Sequence, residues 1–383
     1  MRKISIEFIY GPFSSAGKQF NFQDIYGDSS GLTGSETSCF SFATEMANRG
    51  HNVSLYAPIN DCIPPTYVWG KVNVKRLQSV GFARQPPEVM YTWNEPDVFK
   101  YCPSSALRIV NQQLNDFGYC QFSDYDDYVD IYTSPSDCHR KYISQSTPIK
   151  EKWEVLGNGF DPKMFFPREK KQYSVVYASS PDRGLHILLE AWPKIKKQVP
   201  QATLDIYYDC TNYFHHITAR EKNYANNLIK DPAMLEYINR GKYIIYALDK
   251  MKSGYDIIHH QAVSKKNMAE KMGQASVLAY PCSSVSFTEG FSATTIESCA
   301  SGMVPIISNQ DALEQIYGEV VPMVKTPTHS NIDSFITLVV KALTDKKFQE
   351  ETTAKTIQFA KDYTWTKLTD HLETIIEKGL AKK

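Results

Sequence analysis

The stretch from residue 275 to 308, ASVLAYPCSSVSFTEGFSATTIESCASGMVPIIS, constrains this chain more than any other. Residues 277–280 form a short apolar run of strand length, a polar loop follows, residues 293–301 turn as a helix, and residues 304–307 form a second buried run. Ser292 is a suitable N-cap, Ala293, Ile296 and Ala300 recur at helical spacing, and Gly302 stands where a left-handed residue ends a helix. The expected order is therefore strand, loop, helix, strand, an α/β unit.

Glu289 then falls in the loop and Glu297 inside the helix, with seven residues between them. Helical side chains lean towards the N-terminus, so Glu297 is expected to look back at the loop carrying Glu289. The free N–H groups around residues 291–294 point the same way. Amides and the helix dipole suit an anion such as phosphate, and carboxylates suit hydroxyl donors. A molecule carrying both is a nucleotide sugar. Taken without context, the two glutamates read as solvated charges, and it is the context that reverses this. The context is Glu289-Gly290-Phe291, then Glu297, Ala300, Gly302 and Val304-Pro305-Ile306, which resembles the donor-binding signature of the retaining family 4 glycosyltransferases. That resemblance implies the GT-B fold, with the first glutamate, Glu289, on the donor sugar and the second, Glu297, on the ribose. It also lines the donor site with Gly290, Phe291, Ser292 and Ala293.

A chain of 383 residues is long enough for two domains, each with its own core. Its formal net charge of +0 leaves no basic excess to displace counterions from nucleic-acid phosphates, so no nucleic-acid partner is expected. The eight cysteines (39, 62, 102, 120, 138, 210, 282, 299) are scattered, with neither metal-site spacing nor a dense disulfide framework. Reduced thiols in a cytoplasmic setting and no bound metal are the expectation. Glu7 interrupts an N-terminal apolar run already too short for a signal peptide, and no run reaches membrane-spanning length, although a peripheral membrane contact is compatible with the chain.

From the N-terminus, Ile4, Ile6 and Phe8 alternate in a first strand, and a Gly/Ser-containing loop over residues 11–34 follows it. A helix is expected over residues 35–48 and a second strand over residues 52–57. Doubly wound folds place ligands at such a strand-loop-helix junction. Thr33-Gly34-Ser35-Glu36, with Arg49-Gly50-His51-Asn52-Val53, resembles the start of the same family, where the glycine loop faces the cleft; Gly34 as a simple turn residue is the competing reading. Residues 58–87 read as an irregular excursion with a strand at 72–77, a candidate acceptor-facing element. Strands are expected at residues 89–93, 107–112 and 128–132, an alternation that favours a parallel sheet. Many family members carry a histidine near the end of the middle strand, facing the reacting sugar. Here Asn115 stands at about that place, and a plain Asn-Asp turn with Asp116 competes with a catalytic role. His51 and His139 read as structural or surface histidines.

Val155-Leu156-Gly157-Asn158-Gly159-Phe160-Asp161, followed by Phe165 and Pro167, resembles the family's link between domains, and the charged residues 168–172 form a natural linker. A second domain then opens with a strand at residues 173–179 and a helix striped by Leu185, Leu188, Leu189, Ala191 and Trp192. The resemblance puts Arg183-Gly184 at the family's basic-glycine position, where the side chain holds the donor diphosphate. A fixed guanidinium suits the charge that builds as a nucleoside diphosphate departs. An ion pair with Asp182 is the competing reading. Relatives often carry two basic residues here; only Arg183 is evident, so Lys265, Lys266 or backbone amides are expected to share the diphosphate. After a strand at residues 204–208, residues 215–240 read as a polar, helix-prone surface insertion. The pairs His215-His216 and His259-His260 point to different sides and make no convincing metal site. His260 and Val263 match the family's strand end before the base-contacting loop, which implies a backbone contact from Val263 to the nucleobase. Helices are expected near residues 265–273, 312–317, 332–344 and 364–378. The last is striped by Leu368, Leu372, Ile375, Ile376 and Leu380, and the resemblance has it cross back onto the first domain.

The resemblance thus implies an α/β GT-B protein of two Rossmann-like domains with parallel sheets facing across a cleft. Residues 1–168 form the acceptor-side domain, completed by residues 355–383, and residues 169–354 bind the nucleotide sugar. The implied reaction is retaining transfer of a sugar from a nucleotide-diphosphate sugar to an acceptor hydroxyl on a glycan, lipid or protein-linked sugar. It needs no metal and no cofactor beyond the nucleotide-sugar co-substrate, and Glu289, Arg183 and Asn115 carry the chemistry. A GT-B epimerase, a phosphorylase, and a catalytically silent sugar-nucleotide-binding or scaffold protein are the rival readings. The phosphorylase is disfavoured because that activity needs a cofactor lysine in a much longer chain.

Overall fold

In the computed structural model the described residues form two compact units, one from residues 1–159 with residues 362–383, the other from residues 160–361. The structure describes residues 1–11, 32–59, 66–80, 85–101, 106–115, 124–146, 150–226, 231–251 and 253–383. Most of the expected Gly/Ser loop, part of the 58–87 excursion, Asp116, Cys62, Cys102 and Cys120 lie outside the described residues.

The first unit runs β1 (Ser5–Ile9), α1 (Gly34–Asn48), β2 (Asn52–Ala57), β3 (Thr66–Trp69), β4 (Val72–Arg76), β5 (Val89–Trp93), β6 (Leu107–Asn111), β7 (Ile131–Ser134), α2 (Asp137–Ile143) and β8 (Trp153–Val155). The second runs β9 (Ser174–Tyr177), α3 (Leu185–Gln198), β10 (Thr203–Tyr207), α4 (Cys210–Ala225), α5 (Pro232–Lys250), β11 (Ile257–His260), α6 (Lys265–Gln274), β12 (Val277–Tyr280), α7 (Ala293–Ala300), β13 (Val304–Ser308), α8 (Leu313–Tyr317), β14 (Met323–Val324), α9 (Ile332–Thr344) and α10 (Lys346–Ala360). The last helix, α11 (Trp365–Leu380), belongs to the first unit.

In the first sheet the order is β3-β4-β2-β1-β5-β6-β7-β8, and every pairing is parallel except the β3–β4 hairpin, which the sequence reading did not anticipate. The third expected strand begins at Ile131 rather than at residue 128, because the chain is still turning where Tyr128 N–H donates to the Tyr125 carbonyl (2.8 Å). Phe8 on β1 sits opposite Leu55 on β2 and Tyr91 on β5, and all three are buried in the core with Phe42 and Trp365, which meet edge to face at 5.3 Å. The stripe of α11 thus finds its partner: Leu368, Leu372, Ile375 and Ile376 join the same core as α1. Arg49 and His51, just beyond α1, bind Glu373 of α11, the imidazole Nε2 at 2.9 Å from Oε1.

The units divide at Gly159–Phe160 and at Lys361–Asp362, not at residues 168–169 and 354–355. Composition marked the charged run as a linker, but Phe160 and Phe165 are buried and the Arg168 guanidinium donates to the Ala269 carbonyl (2.7 Å), so this segment folds with the second unit. At the return, α10 also stays with the second unit, packing on α7. Its Thr-rich buried face (Thr352, Thr356) lacks the apolar stripe that would have marked it in the sequence.

The second sheet is wholly parallel among the described residues, in the order β11-β10-β9-β12-β13-β14. Chain order runs outward in one direction from β9 through β10 to β11, and in the other from β12 through β13 to β14. The reversal falls between β9 and β12, and loops leaving the carboxyl ends of such a pair diverge and open a crevice, the usual place for a ligand in an open α/β sheet. The segment read as a helix-prone surface insertion is helical, in α4 and α5, but it is not merely superficial: α5 packs against both α3 and α4, with Ile238, Gly241, Ile244 and Ala247 buried. Among the described residues of 215–240 only Ile217 and Ile238 are buried, a weak signal, which is why the segment read as surface.

Candidate functional site

Glu289 leaves the loop after β12, and Arg183 leaves the turn after β9, so the two sit over adjacent strands at the reversal point. The Glu289 side chain is buried, and its Oε2 accepts a hydrogen bond from Arg183 Nη1 (3.2 Å) and another from the Tyr280 hydroxyl. The main chain around it is fixed from a further element. One oxygen of Asp311, Oδ2, accepts from Ser284 Oγ (2.9 Å), Thr288 N–H (2.9 Å) and Glu289 N–H (3.0 Å), and the Glu289 carbonyl accepts from Ala312 N–H (3.1 Å). Asp311 holds a left-handed backbone (φ 53), a conformation Asp tolerates better than most residues.

Arg183 pairs with Glu289 rather than with Asp182, whose carboxylate accepts from Ser180 Oγ. Burial works against the guanidinium charge, but Glu289 and further anionic partners outweigh it and hold the pKa above its usual value. The turn that aims Arg183 depends on Gly184. Its φ is 132, and a Cβ there would lie 2.2 Å from the Pro281 carbonyl oxygen, so the loops after β9 and β12 touch backbone to backbone. Ser283 N–H donates to the Arg183 carbonyl (3.1 Å) to join the same two loops. Arg240 of α5 reaches this junction too, donating to the carbonyls of Ser283 and Asp182 while its Nε binds Glu236 (2.8 Å). It is a second basic group at the turn that sequence reasoning missed. A single arginine on a helix carries no motif, and only the packing of α5 brings it there.

The helix after the loop is as expected at both ends. Ser292 is its N-cap, with Oγ accepting from Thr295 N–H (3.3 Å), and it adopts a left-handed backbone (φ 70) held by the Tyr317 hydroxyl on its carbonyl (3.0 Å). Gly302 is left-handed (φ 68) just past the end, where Lys170 Nζ also donates to the Ser301 carbonyl (2.8 Å). Phe291 is buried against Tyr317, edge to face at 6.1 Å, while Gly290 and Ala293 are half-buried. The first-turn amides of Ala293 and Thr294 have no acceptor within the helix, which makes this end suited to an anion. Glu297 is buried on α7 and its Oε1 accepts from Lys265 Nζ (2.5 Å), so the two glutamates are held by different cations. Lys265 opens α6, directly after the buried N-cap Ser264, and Val263 precedes it in the loop from β11, half-buried. Lys265→Gln is expected to lower stability by about 1–3 kcal/mol, because it removes the charged donor from a buried carboxylate. A urea titration checks this, with the midpoint moving down and the slope unchanged.

In the first unit Asn115 lies just beyond β6, half-buried, with Oδ1 at 3.2 Å from His139 Nε2. His139 is structural rather than superficial. It is buried, Nδ1 lies 2.9 Å from Ser134 Oγ, and burial lowers its pKa to about 4, with the Leu114 backbone opposing that shift. Around it the carboxyl ends of β5 to β7 carry a network of uncharged groups. Gln113 and Asn158 exchange side-chain hydrogen bonds (3.2 and 2.8 Å), and Asn111 donates to the Tyr91 hydroxyl (3.1 Å). Gly34 is the first residue of α1 and its φ is not positive, so it neither forms a loop nor uses the freedom of glycine. Thr33 and Glu36 close the capping box around it, with Thr33 N–H donating to Glu36 Oε2 (2.6 Å). In the second unit His260 is bound to Asp205 Oδ1 (2.6 Å) and stacked on Tyr207 at 4.3 Å. The described cysteines are free thiols, and no described helix is long and apolar enough to cross a membrane.

Comparison with known proteins agrees with this architecture. The sucrose-phosphate synthase of Thermosynechococcus elongatus superposes with a TM-score of 0.69 at 12% identity, covering 99% of this chain and 100% of that one. HepE of Anabaena, solved in complex with UDP and glucose, gives 0.67 at 12% identity over 98% and 100%. The catalytic domain of starch synthase IV from Arabidopsis thaliana, bound to ADP and acarbose, gives 0.64 at 9% identity over 99% and 100%. At such identities the likeness establishes the fold, that of the GT-B glycosyltransferases with two Rossmann-like domains. No curated protein sequence matches significantly. A family model, described as glycosyl transferases group 1, matches residues 160–362, more than half of the chain and all of the described second unit. The chain therefore belongs to the glycosyl transferases group 1 family and is a glycosyltransferase.

Proposed function

We propose that this glycosyltransferase moves a sugar, with retention of anomeric configuration, from a nucleotide-diphosphate sugar to a hydroxyl of a glycan or glycoconjugate. The observation that carries the reading is the buried Glu289 beside Arg183 at the strand-order reversal of the second sheet. A carboxylate there accepts from sugar hydroxyls, and the adjacent guanidinium faces the place where leaving-group charge develops. The first-turn amides of α7 favour the diphosphate, and Glu297 with Lys265 offers a carboxylate for the ribose and a cation beside it. The nucleotides named with HepE and starch synthase IV support a nucleoside diphosphate as the donor's leaving part. Val263 is assigned the base contact, while Gly290, Phe291, Ser292 and Ala293 line the phosphate side.

In this reading the bond from the anomeric carbon to the phosphate oxygen breaks and its electron pair leaves with the diphosphate. The acceptor oxygen bonds the same face, and its proton passes to the departing phosphate oxygen. No protein nucleophile, metal or cofactor takes part. Asn115, hydrogen-bonded to His139, is assigned a role on the reacting sugar. Work on a cytoplasmic donor pool, with at most peripheral contact to a membrane, completes the proposal. The test is a thermal-shift panel of UDP-, ADP- and GDP-hexoses, followed by product analysis. One donor at about 100 times its Kd is expected to stabilise the fold by about 2.7 kcal/mol. Stabilisation without transfer to any acceptor would favour a silent binding protein, and no stabilisation by any donor would sink the reading.

A further inference from the structure

We infer that Tyr280 is a positioning residue for Glu289: its hydroxyl and Arg183 together occupy Oε2 and leave Oε1 as the oxygen offered to the donor sugar. The inference rests on the proposed contact between Glu289 and that sugar. Both donors converge on one carboxylate oxygen, and among the described residues no protein group donates to the other. The Glu289 peptide is held on both sides, its N–H by Asp311 and its carbonyl by Ala312 N–H, so only side-chain torsions remain for the hydroxyl and guanidinium to fix.

Tyr280 is well placed to do this. It ends β12, is 1% exposed, and packs edge to face on Tyr177 at 6.1 Å, while its carbonyl accepts from Cys282 N–H (2.8 Å). A buried strand-end tyrosine with its hydroxyl on a buried carboxylate is a donor with one orientation, since rotating the ring away would leave the hydroxyl unpaired and the carboxylate with Arg183 alone. Burial, with Glu289 adding to it, raises the pKa of the hydroxyl well above its ordinary value, which favours the protonated, donating form. With phenylalanine here Glu289 would keep Arg183 alone, and the carboxylate would be free to turn either oxygen towards the opening. In the sequence the residue reads as the last apolar position of a buried strand, which hides the role.

The test separates the sugar from the nucleotide. Binding of UDP, ADP and GDP and of their glucose conjugates is measured by calorimetry for the wild type, Tyr280→Phe, Glu289→Gln and the double variant. For the pair that binds, Tyr280→Phe is expected to weaken the nucleotide sugar roughly tenfold, as for one lost hydrogen bond to a charged group, and to leave the free nucleotide unchanged. In the Glu289→Gln background the same substitution should add less than about twofold, because its effect passes through that carboxylate. Equal weakening of nucleotide and nucleotide sugar, or full additivity in the double variant, would overturn the inference while leaving the donor site standing. Failure of the wild type to bind any of the three sugar nucleotides would remove the underlying reading, and this one with it.

Discussion

Glu289→Ala is expected to lower kcat/KM for sugar transfer by about a thousandfold while the protein stays folded, a loss of about 4 kcal/mol in transition-state stabilisation. Two effects add in the same direction. The variant removes the carboxylate proposed to hold the donor sugar, and it strips the anion that lies 3.2 Å from the Arg183 guanidinium. A guanidinium without that partner is free to change its conformation, so it no longer meets the departing diphosphate in a fixed place. The fold should survive. The Tyr280 hydroxyl loses its acceptor, at about 1–3 kcal/mol for a buried donor left unmade, against the 5–15 kcal/mol by which domains are typically stable. Glu289→Gln, which keeps the shape and an acceptor oxygen, should fall only about a hundredfold. Initial rates of nucleoside diphosphate release with acceptor present measure the first effect, and thermal melts the second. Near wild-type turnover by the alanine variant would remove Glu289 from the mechanism.

Much of this site was legible in the sequence because it is local. The stretch from β12 to β13 folds as its own strand, loop, helix and strand, so the cap at Ser292, the left-handed Gly302 and the helical place of Glu297 follow from spacing alone. The place of Arg183-Gly184 came from the family resemblance alone, since local spacing leaves an ion pair with Asp182 as an equal reading. What the sequence could not show is what other elements bring in. Tyr280 looks like core, and Asp311 like one more polar residue in a turn. Arg240 lies 57 positions along the chain from Arg183, and only the packing of α5 on α3 delivers it to the same turn. Gly34 failed in the opposite sense. A glycine after a Gly/Ser run was read as loop, but the capping box of Thr33 and Glu36 starts the helix at that residue, and the box was the stronger signal.

Gly184→Ala should be the most disruptive single substitution in the second unit outside its core. The added methyl meets two separate obstacles. A φ of 132 is a conformation L side chains rarely adopt, and the new Cβ would lie 2.2 Å from a main-chain oxygen, that of Pro281. A flexible side chain could move aside, but this oxygen belongs to the loop that leads from β12 towards Glu289, so relief requires the backbone of one loop or the other to shift. Strain of the first kind costs about 1–3 kcal/mol and overpacking of the second about the same again, for a total of about 4 kcal/mol. The functional loss follows from where the shift goes. If the β9 turn moves, the guanidinium of Arg183 leaves Glu289; if the β12 loop moves, Glu289 leaves the guanidinium. Either way transfer should fall at least a hundredfold, since misplacement by about 1 Å is enough for that. A melt and a rate measurement on the same preparation test the pair of effects together. An alanine variant that keeps wild-type stability would show that the two loops are not pressed together at Gly184, and the rigid placement of Arg183 beside Glu289 would lose its structural cause.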